Sequence, residues 1–315
     1  MHGSGRGDSF EPGHRPVLTR RVVESLVQDA GGRYCDATYG RGGHARALLG
    51  VLDPNAELWV IDRDPEAVAD ARRLAGEDAR IRVFPGRFSQ FDGFAERASW
   101  CGVLMDLGVS SPQLDSPERG FSFSRGGPLD MRMNPAEGEP VSVWLNRAQE
   151  ADIARVLREF GEERHARRIA GAIVRERARS PVQTTDQLAD LVRRTVPGFT
   201  RIHAATRTFM ALRIFVNDEL AELERGLERA LAALRIGGRL LVISFHSLED
   251  RLVKRFIRRH AGGEGVNRRL PPPARPEPIQ LRALGRFRPD EAECSANPRA
   301  RSGTLRVAEK VDGRA

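Results

Sequence analysis

Cysteine is scarce in this 315-residue chain: Cys35, Cys101 and Cys294 stand far apart, with no Cys-x-x-Cys pair. That excludes a disulfide scaffold and a cysteine-type zinc site, and it fits a reducing compartment. No metal is expected. Lysine is rarer still, only Lys254 and Lys310, although Lys and Arg together number 51 against 43 Asp and Glu. No apolar run approaches the roughly 18–20 residues of a membrane span, and Met1–Gly13 has no signal-peptide core. A cytoplasmic protein without membrane attachment is expected. At 40% hydrophobic and 30% charged residues the composition is globular, and the length allows one large or two modest domains. The +8 charge has two readings. It suits a polyanion held by arginine–phosphate contacts, and arginine in place of lysine is also what a base-composition bias of the genome produces.

Hydrophobic periodicity gives the organisation. Met1–Gly13 lacks periodicity and reads as a mobile tail. Short apolar segments at Arg33–Thr38, Glu57–Asp62, Ile81–Phe84 and Val103–Leu107 read as strands. Helices about Gly43–Leu52 and Pro65–Ala75 lie between them, which predicts βαβ units and a parallel sheet. Ser111–Pro140 is loop-like, and Val141 to Pro197 carries only helical stripes. From Phe209 to Leu234 apolar residues keep a three-to-four spacing, predicting one long helix ended by Gly237-Gly238, then a strand over Arg239–Ser244. Ser247–Asp250 has the spacing of a helix cap, Gly262–Pro278 is loop, and Ile279–Leu284 with Thr304–Ala308 suit an antiparallel pair.

Three segments carry candidate chemistry. Asp36–His44 (DATYGRGGH) follows the first strand; its glycines allow a sharp turn and close approach of a ligand. The spacing is not that of a dinucleotide fingerprint. An Asp at the strand end suits a ligand with cationic groups, such as S-adenosylmethionine; the plainer reading is an ordinary glycine-rich connection. Asp62 ends the second strand, where a carboxylate accepts from the ribose hydroxyls of a nucleoside; Asp64, before Pro65, reads as a helix cap. Asp106–Gln113 (DLGVSSPQ) follows the fourth strand, beyond whose carboxyl end ligands of parallel sheets sit. Methylating an exocyclic base amine needs acceptors at such a place, because its lone pair is delocalised into the ring until hydrogen bonds to its N–H groups favour rehybridisation. A Ser- and Pro-rich turn is the plainer reading here.

These segments, with His14–Leu18 (HRPVL), Val60–Pro65 (VIDRDP), Asp106–Asp115 (DLGVSSPQLD), Glu118–Phe123 (ERGFSF), Pro128–Met133 (PLDMRM), Ala205–Phe209 (ATRTF), Ser244–Arg251 (SFHSLEDR) and Asn297–Ser302 (NPRARS), resemble the bacterial ribosomal RNA small subunit methyltransferase H family from about His14 to Lys310. The resemblance implies an α/β, Rossmann-like class I S-adenosylmethionine-dependent methyltransferase fold with an inserted all-helical domain. It implies methyl transfer to N4 of a decoding-region cytidine in 16S rRNA, so the expected partner is the small ribosomal subunit. The expected division is a tail at 1–13, a discontinuous methyltransferase domain at 14–112 and 203–315, and a helical substrate domain at 113–202; a homodimer is compatible with this. Carried over residue by residue, the cofactor contacts are Gly42, Gly43, His44, Asp62, Phe88, Asp106 and Gln113. Ala37 and Tyr39 depart from the family's usual Gly and Phe.

Asp106, Ser110 and Ser111 are the candidate catalytic residues, acting through proximity and electrostatics without an obligatory strong base. No cysteine follows Pro112, so a covalent thiol adduct is unsupported. Ser110–Gln113 lacks the Pro-Pro-aromatic element of DNA amino-methyltransferases, which disfavours DNA as substrate. The base must then stack on an aromatic elsewhere, with Trp144, Phe121, Phe123 and Phe245 as candidates and Trp144 preferred. His246 either lines the site or supports the adjacent helix cap. The alternative class is a non-catalytic rRNA-binding or assembly protein on the same fold. Arginines gather at Arg155–Arg179 and between Arg251 and Arg269, outside the cofactor segments, where a long RNA needs phosphate contacts.

Overall fold

The computed structural model of the chain describes residues 16–93, 98–197, 203–262 and 279–313. The expected tail at Met1–Gly13, His14 and Arg15, and the loop over Gly262–Pro278 apart from Gly262, with Arg268 and Arg269 in it, lie outside these residues. By internal contacts the chain divides into a sheet unit (1–62, 66–108 and 226–315) and a helical unit (63–65 and 109–225).

Among the described residues the sheet unit holds seven strands: β1 (Arg33–Asp36), β2 (Glu57–Asp62), β3 (Ile81–Pro85), β4 (Trp100–Asp106), β5 (Leu234–Ser244), β6 (Leu281–Phe287) and β7 (Thr304–Lys310). Their order is β3-β2-β1-β4-β5-β7-β6. The first five run parallel, as the strand–helix alternation predicts, and β7 enters antiparallel between β5 and β6. Central strands of a parallel sheet are covered on both faces and so read as continuous apolar runs; six of the seven residues of β4 are buried. Helices α1 (Thr19–Leu26), α2 (Gly43–Leu49), α3 (Pro65–Glu77), α11 (Ser247–His260) and α12 (Glu291–Ala296) accompany the sheet. Tyr34, Leu48, Leu58 and Leu104 are among the fully buried members of its core.

The helical unit contains α4 (Ser111–Asp115), α5 (Val141–Arg147), α6 (Glu150–Gly161), α7 (Ala166–Arg177), α8 (Thr185–Thr195) and α9 (Thr206–Asn217). Its separate core includes Leu145, Ile153, Leu157, Ile169, Leu188 and Leu212. It reaches Arg225 rather than residue 202, because Phe209, Ala211 and Leu212 of α9 face this core.

The single helix expected over Phe209–Leu234 is instead two, α9 and α10 (Glu219–Ala233). Asp218 between them is left-handed, with φ 53°, and the Asn217 amide donates to the Met131 carbonyl at 2.7 Å. Apolar spacing cannot reveal such a break, since both helices keep the same stripe. The end expected at Gly237-Gly238 also moves: α10 stops at Ala233 and both glycines lie within β5. Among the described residues no helix is long and apolar enough to cross a membrane.

Leu104 in β4 and Leu157 in α6 are both fully buried. Truncating either to alanine is expected to cost about 2–5 kcal/mol, through lost transfer energy and the cavity left behind, measured as the shift in denaturant unfolding midpoint.

Candidate active site

The carboxyl ends of β2, β1 and β4, adjacent in that order, each bear a carboxylate: Asp62, Asp36 and Asp106. The turns that follow are tied together by polar contacts. The Thr38 hydroxyl oxygen accepts from the Asp106 backbone N–H at 2.6 Å, and the Asp62 carboxylate accepts from the Gly40 N–H at 2.8 Å. The Ala37 N–H donates to the Leu104 carbonyl and the Tyr39 N–H to that of Ile61, at 2.8 and 2.9 Å. The DATYGRGGH turn thus bridges its neighbours on both sides.

Gly42 is buried and precedes α2 with φ 67°. A Cβ there would lie 2.5 Å from the Tyr39 ring, so this position needs glycine both for its backbone and for its neighbour. Tyr39 makes use of its departure from the family's Phe, its hydroxyl donating to Asp70 at 2.6 Å. Gly43 begins α2 and packs so closely on Pro16 that a Cβ would come within 2.7 Å of it.

His44 is 4% exposed and Asp36 1%, so both ionisable groups are almost wholly out of water. His44 Nε2 lies 3.5 Å from an Asp106 carboxylate oxygen. Burial raises the Asp36 pKa to about 7, aided by the charges of Asp106 and Asp62 and opposed by His44 and the Thr38 N–H. Burial also opposes protonation of His44, yet Asp106 and Asp36 outweigh it and the imidazole pKa is raised. One oxygen each of Asp36 and Asp106, and both ring nitrogens of His44, are buried without a hydrogen bond. These atoms form a buried polar group with unfilled hydrogen-bonding capacity, an arrangement suited to a polar, cationic ligand.

The other residues singled out from the sequence fall in both units. Phe88 opens a short 3-10 turn after β3 and lies so close to Gly226 that a Cβ there would meet its ring at 2.4 Å. Gln113, Ser110 and Ser111 belong to the helical unit, Ser110 as the cap of α4 and Ser111 as its first residue. The Gln113 side chain is committed to the protein at both ends, its oxygen accepting from the Ser110 N–H and its nitrogen donating to Asp64.

Of the aromatic candidates, Phe121 is buried in the helical core, Phe123 stacks on His203 with centroids 4.5 Å apart, and half-buried Trp144 leans on Phe215 at 4.4 Å. His246 caps α11: its Nδ1 accepts from the Glu249 N–H, and Nε2 is 3.1 Å from the Glu249 carboxylate. The cap falls at His246, one residue before the Ser247 expected from spacing. Asp36 was expected only as the acid at the end of the first strand, and Asp64 and Arg119 were not among the expected site residues, though each lies inside one of the motifs. Motif membership was the available signal; their burial was not legible.

The chain belongs to the MraW methylase family, whose model matches residues 11–311, in agreement with the motif resemblance. A relative from Xylella fastidiosa (strain M12), "Ribosomal RNA small subunit methyltransferase H", is 54% identical over 306 residues, 95% of this chain and 97% of the relative. A relative of the same name from Xanthomonas campestris pv. campestris (strain 8004) is 51% identical over 299 residues, 95% of this chain and 87% of the relative. Among solved structures, a putative rRNA-methylase from Clostridium thermocellum covers 94% of both chains at 11% identity, with TM-score 0.43.

The raised Asp36 pKa fixes a sign for pH dependence. Between about pH 4 and 7 the folded state holds a proton that the unfolded carboxylate has released, so this group's contribution to stability falls as pH rises. His44, also raised, acts in the same direction as pH passes through its folded pKa. Asp36→Asn is therefore expected to gain about 3 kcal/mol relative to wild type between pH 4 and 7, read from denaturation midpoints. A constant difference across that range contradicts the assignment.

Proposed function

We propose that this chain transfers a methyl group from S-adenosylmethionine to N4 of a decoding-region cytidine in small-subunit ribosomal RNA. The observation that carries the reading is the convergence of the DATYGRGGH turn, Asp62 and Asp106 at the carboxyl ends of three neighbouring strands, with buried acceptor atoms of Asp36 and Asp106 left without hydrogen bonds. Relatives half identical to the chain carry a name specifying small-subunit ribosomal RNA methylation.

The donor set fits the cofactor: carboxylates for its cationic and ribose groups, and a glycine turn without side chains to obstruct it. When bound, S-adenosylmethionine supplies an electrophilic methyl group on a sulfonium centre. Asp62 would hold the ribose hydroxyls, Gly42, Gly43 and His44 would line the turn, and Phe88 would offer an apolar contact. The Asp106 carboxylate would accept a hydrogen bond from the base amine, favouring rehybridisation of its nitrogen, and take up the proton released. His44 beside Asp106 limits the charge that accumulates there. Ser110 and Ser111 supply further acceptors on the segment that follows Asp106 in the chain. Trp144 and Phe123, which are not fully enclosed, are the proposed surfaces for base stacking, while Gln113 orders the Ser110 turn.

Charge supports an RNA partner. On α11, Arg251, Lys254, Arg255, Arg258 and Arg259 are all exposed, and Arg282 and Arg286 of β6 add to the same unit. In the helical unit Arg158, Arg164, Arg167 and Arg168 are exposed as well.

The direct test incubates labelled S-adenosylmethionine with unmodified small subunits, naked rRNA and DNA, followed by mass spectrometry of the nucleosides. N4-methylcytidine in small-subunit RNA is expected; binding without transfer, or transfer to DNA alone, refutes the proposal. Asp62→Ala and Asp106→Ala are expected to abolish cofactor binding by calorimetry, and unchanged affinity in both removes the cofactor assignment. Replacing Lys254 and Arg255 by alanine should weaken RNA binding and reduce the slope of log K against log salt by about 2, one for each phosphate no longer neutralised.

A further inference from the structure

Within the helical unit a buried ion pair sits directly behind the turn that follows Asp106 in the chain. The Asp64 carboxylate, 3% exposed, accepts from Gln113 Nε2 at 2.7 Å and from an Arg119 guanidinium nitrogen at 2.9 Å. Arg119 and Gln113 are themselves 7% and 5% exposed. The Gln113 oxygen accepts from the Ser110 N–H at 2.9 Å, closing a relay from the ion pair to the backbone of the turn.

The pair is anchored on its far side too. The same Arg119 nitrogen donates to the Met133 carbonyl at 2.8 Å, and the Arg119 carbonyl accepts from the Met131 N–H at 3.0 Å. Met131 is fully buried with φ 64°, a left-handed conformation disfavoured for a side chain of this size and kept only where its surroundings over-determine it. The Asn217 amide supplies part of that restraint, donating to the Met131 carbonyl and accepting from the Met133 N–H.

A buried ion pair adds little net stability over apolar residues of the same volume, because both charges must leave water. What it does provide is direction: the planar guanidinium donates along fixed lines, as an ammonium does not. We propose that Asp64 and Arg119 are positioning residues for methyl transfer, which orient Gln113 and through it the Ser110-Ser111 turn. The inference rests on reading that turn as part of the reacting site. Asp64 lies two residues after Asp62, and Ser110 four after Asp106. The relay therefore joins the two chain segments that leave the strand-end carboxylates.

Asp64→Asn and Arg119→Lys in the full-length protein test this by two readouts. Deuterium exchange over residues 109–116 is expected to quicken about tenfold or more, since the Ser110 N–H loses its fixed acceptor. The single-turnover rate of methyl transfer to unmodified small subunits, at saturating cofactor, is expected to fall about ten- to hundredfold with KM for the subunit little changed, as a misplaced reacting group requires. Unchanged exchange overturns the proposal, and so does quickened exchange with a wild-type transfer rate, which would make the pair purely structural. If wild-type protein transfers no methyl group, the functional reading fails by itself and the exchange comparison still decides whether the pair orders the turn. Should Asp64→Asn fail to fold, Gln113→Met severs the relay while leaving the ion pair, and must reproduce both effects.

Discussion

Three carboxylates at the ends of adjacent parallel strands repel one another, and the middle one is buried. The surroundings of Asp36 answer this electrostatic problem. Its own pKa rises to about 7, so it sheds its charge near neutrality. His44 lies 3.5 Å from Asp106, and the pull of Asp106 and Asp36 raises its pKa against the effect of burial. The Gly42 turn that delivers His44 depends on a left-handed glycine seated on the Tyr39 ring. Thr38 and Asp62 clamp that turn to its neighbours through backbone N–H groups. The buried oxygens of Asp36 and Asp106 that lack hydrogen bonds are a desolvation cost that folding has already met.

The helical unit solves a different problem with related means. It takes up the chain twice just beyond strand-end carboxylates, at Arg63–Pro65 and again from Val109. Asp64, Gln113 and Arg119 connect those two entries inside that unit, and Asn217 fixes the Pro128–Met133 loop beside them. Gln113 and Asn217 thus bond backbone of the loops beside them and fix its direction. The exposed arginines of α6, α7 and α11 make up the sequence-independent, electrostatic part of RNA recognition proposed for the chain.

Much of the fold was legible because hydrophobic period survives local detail. The five parallel strands follow from residues such as Val60, Leu104 and Leu241, whose burial both faces of a sheet demand, and the helical stretch from stripes such as Ile153, Val156 and Leu157. The break at Asp218 was hidden, since one left-handed residue leaves the apolar stripe intact on both sides. The cap of α11 moved to His246 because imidazole Nδ1 is an acceptor that cap spacing does not anticipate. Phe121 and Trp144 look equally suited to stacking as residue types, yet one is buried in the helical core and the other only half-buried.

The amino-acid sequence by itself determined the strand-ending acids, the glycine turn and the family to which the chain belongs, because these are local patterns of residue type and spacing. Only the tertiary structure decided what each acid is. Asp36, Asp62, Asp64 and Asp106 are the same residue chemically, and they differ in how much water each has lost and in which donors reach it. Asp36 is driven toward neutrality by burial, Asp62 accepts from a turn, and Asp64 is locked to an arginine 55 residues away in the chain. Desolvation and partner geometry are properties of the folded surroundings, which no spacing in a linear chain encodes directly.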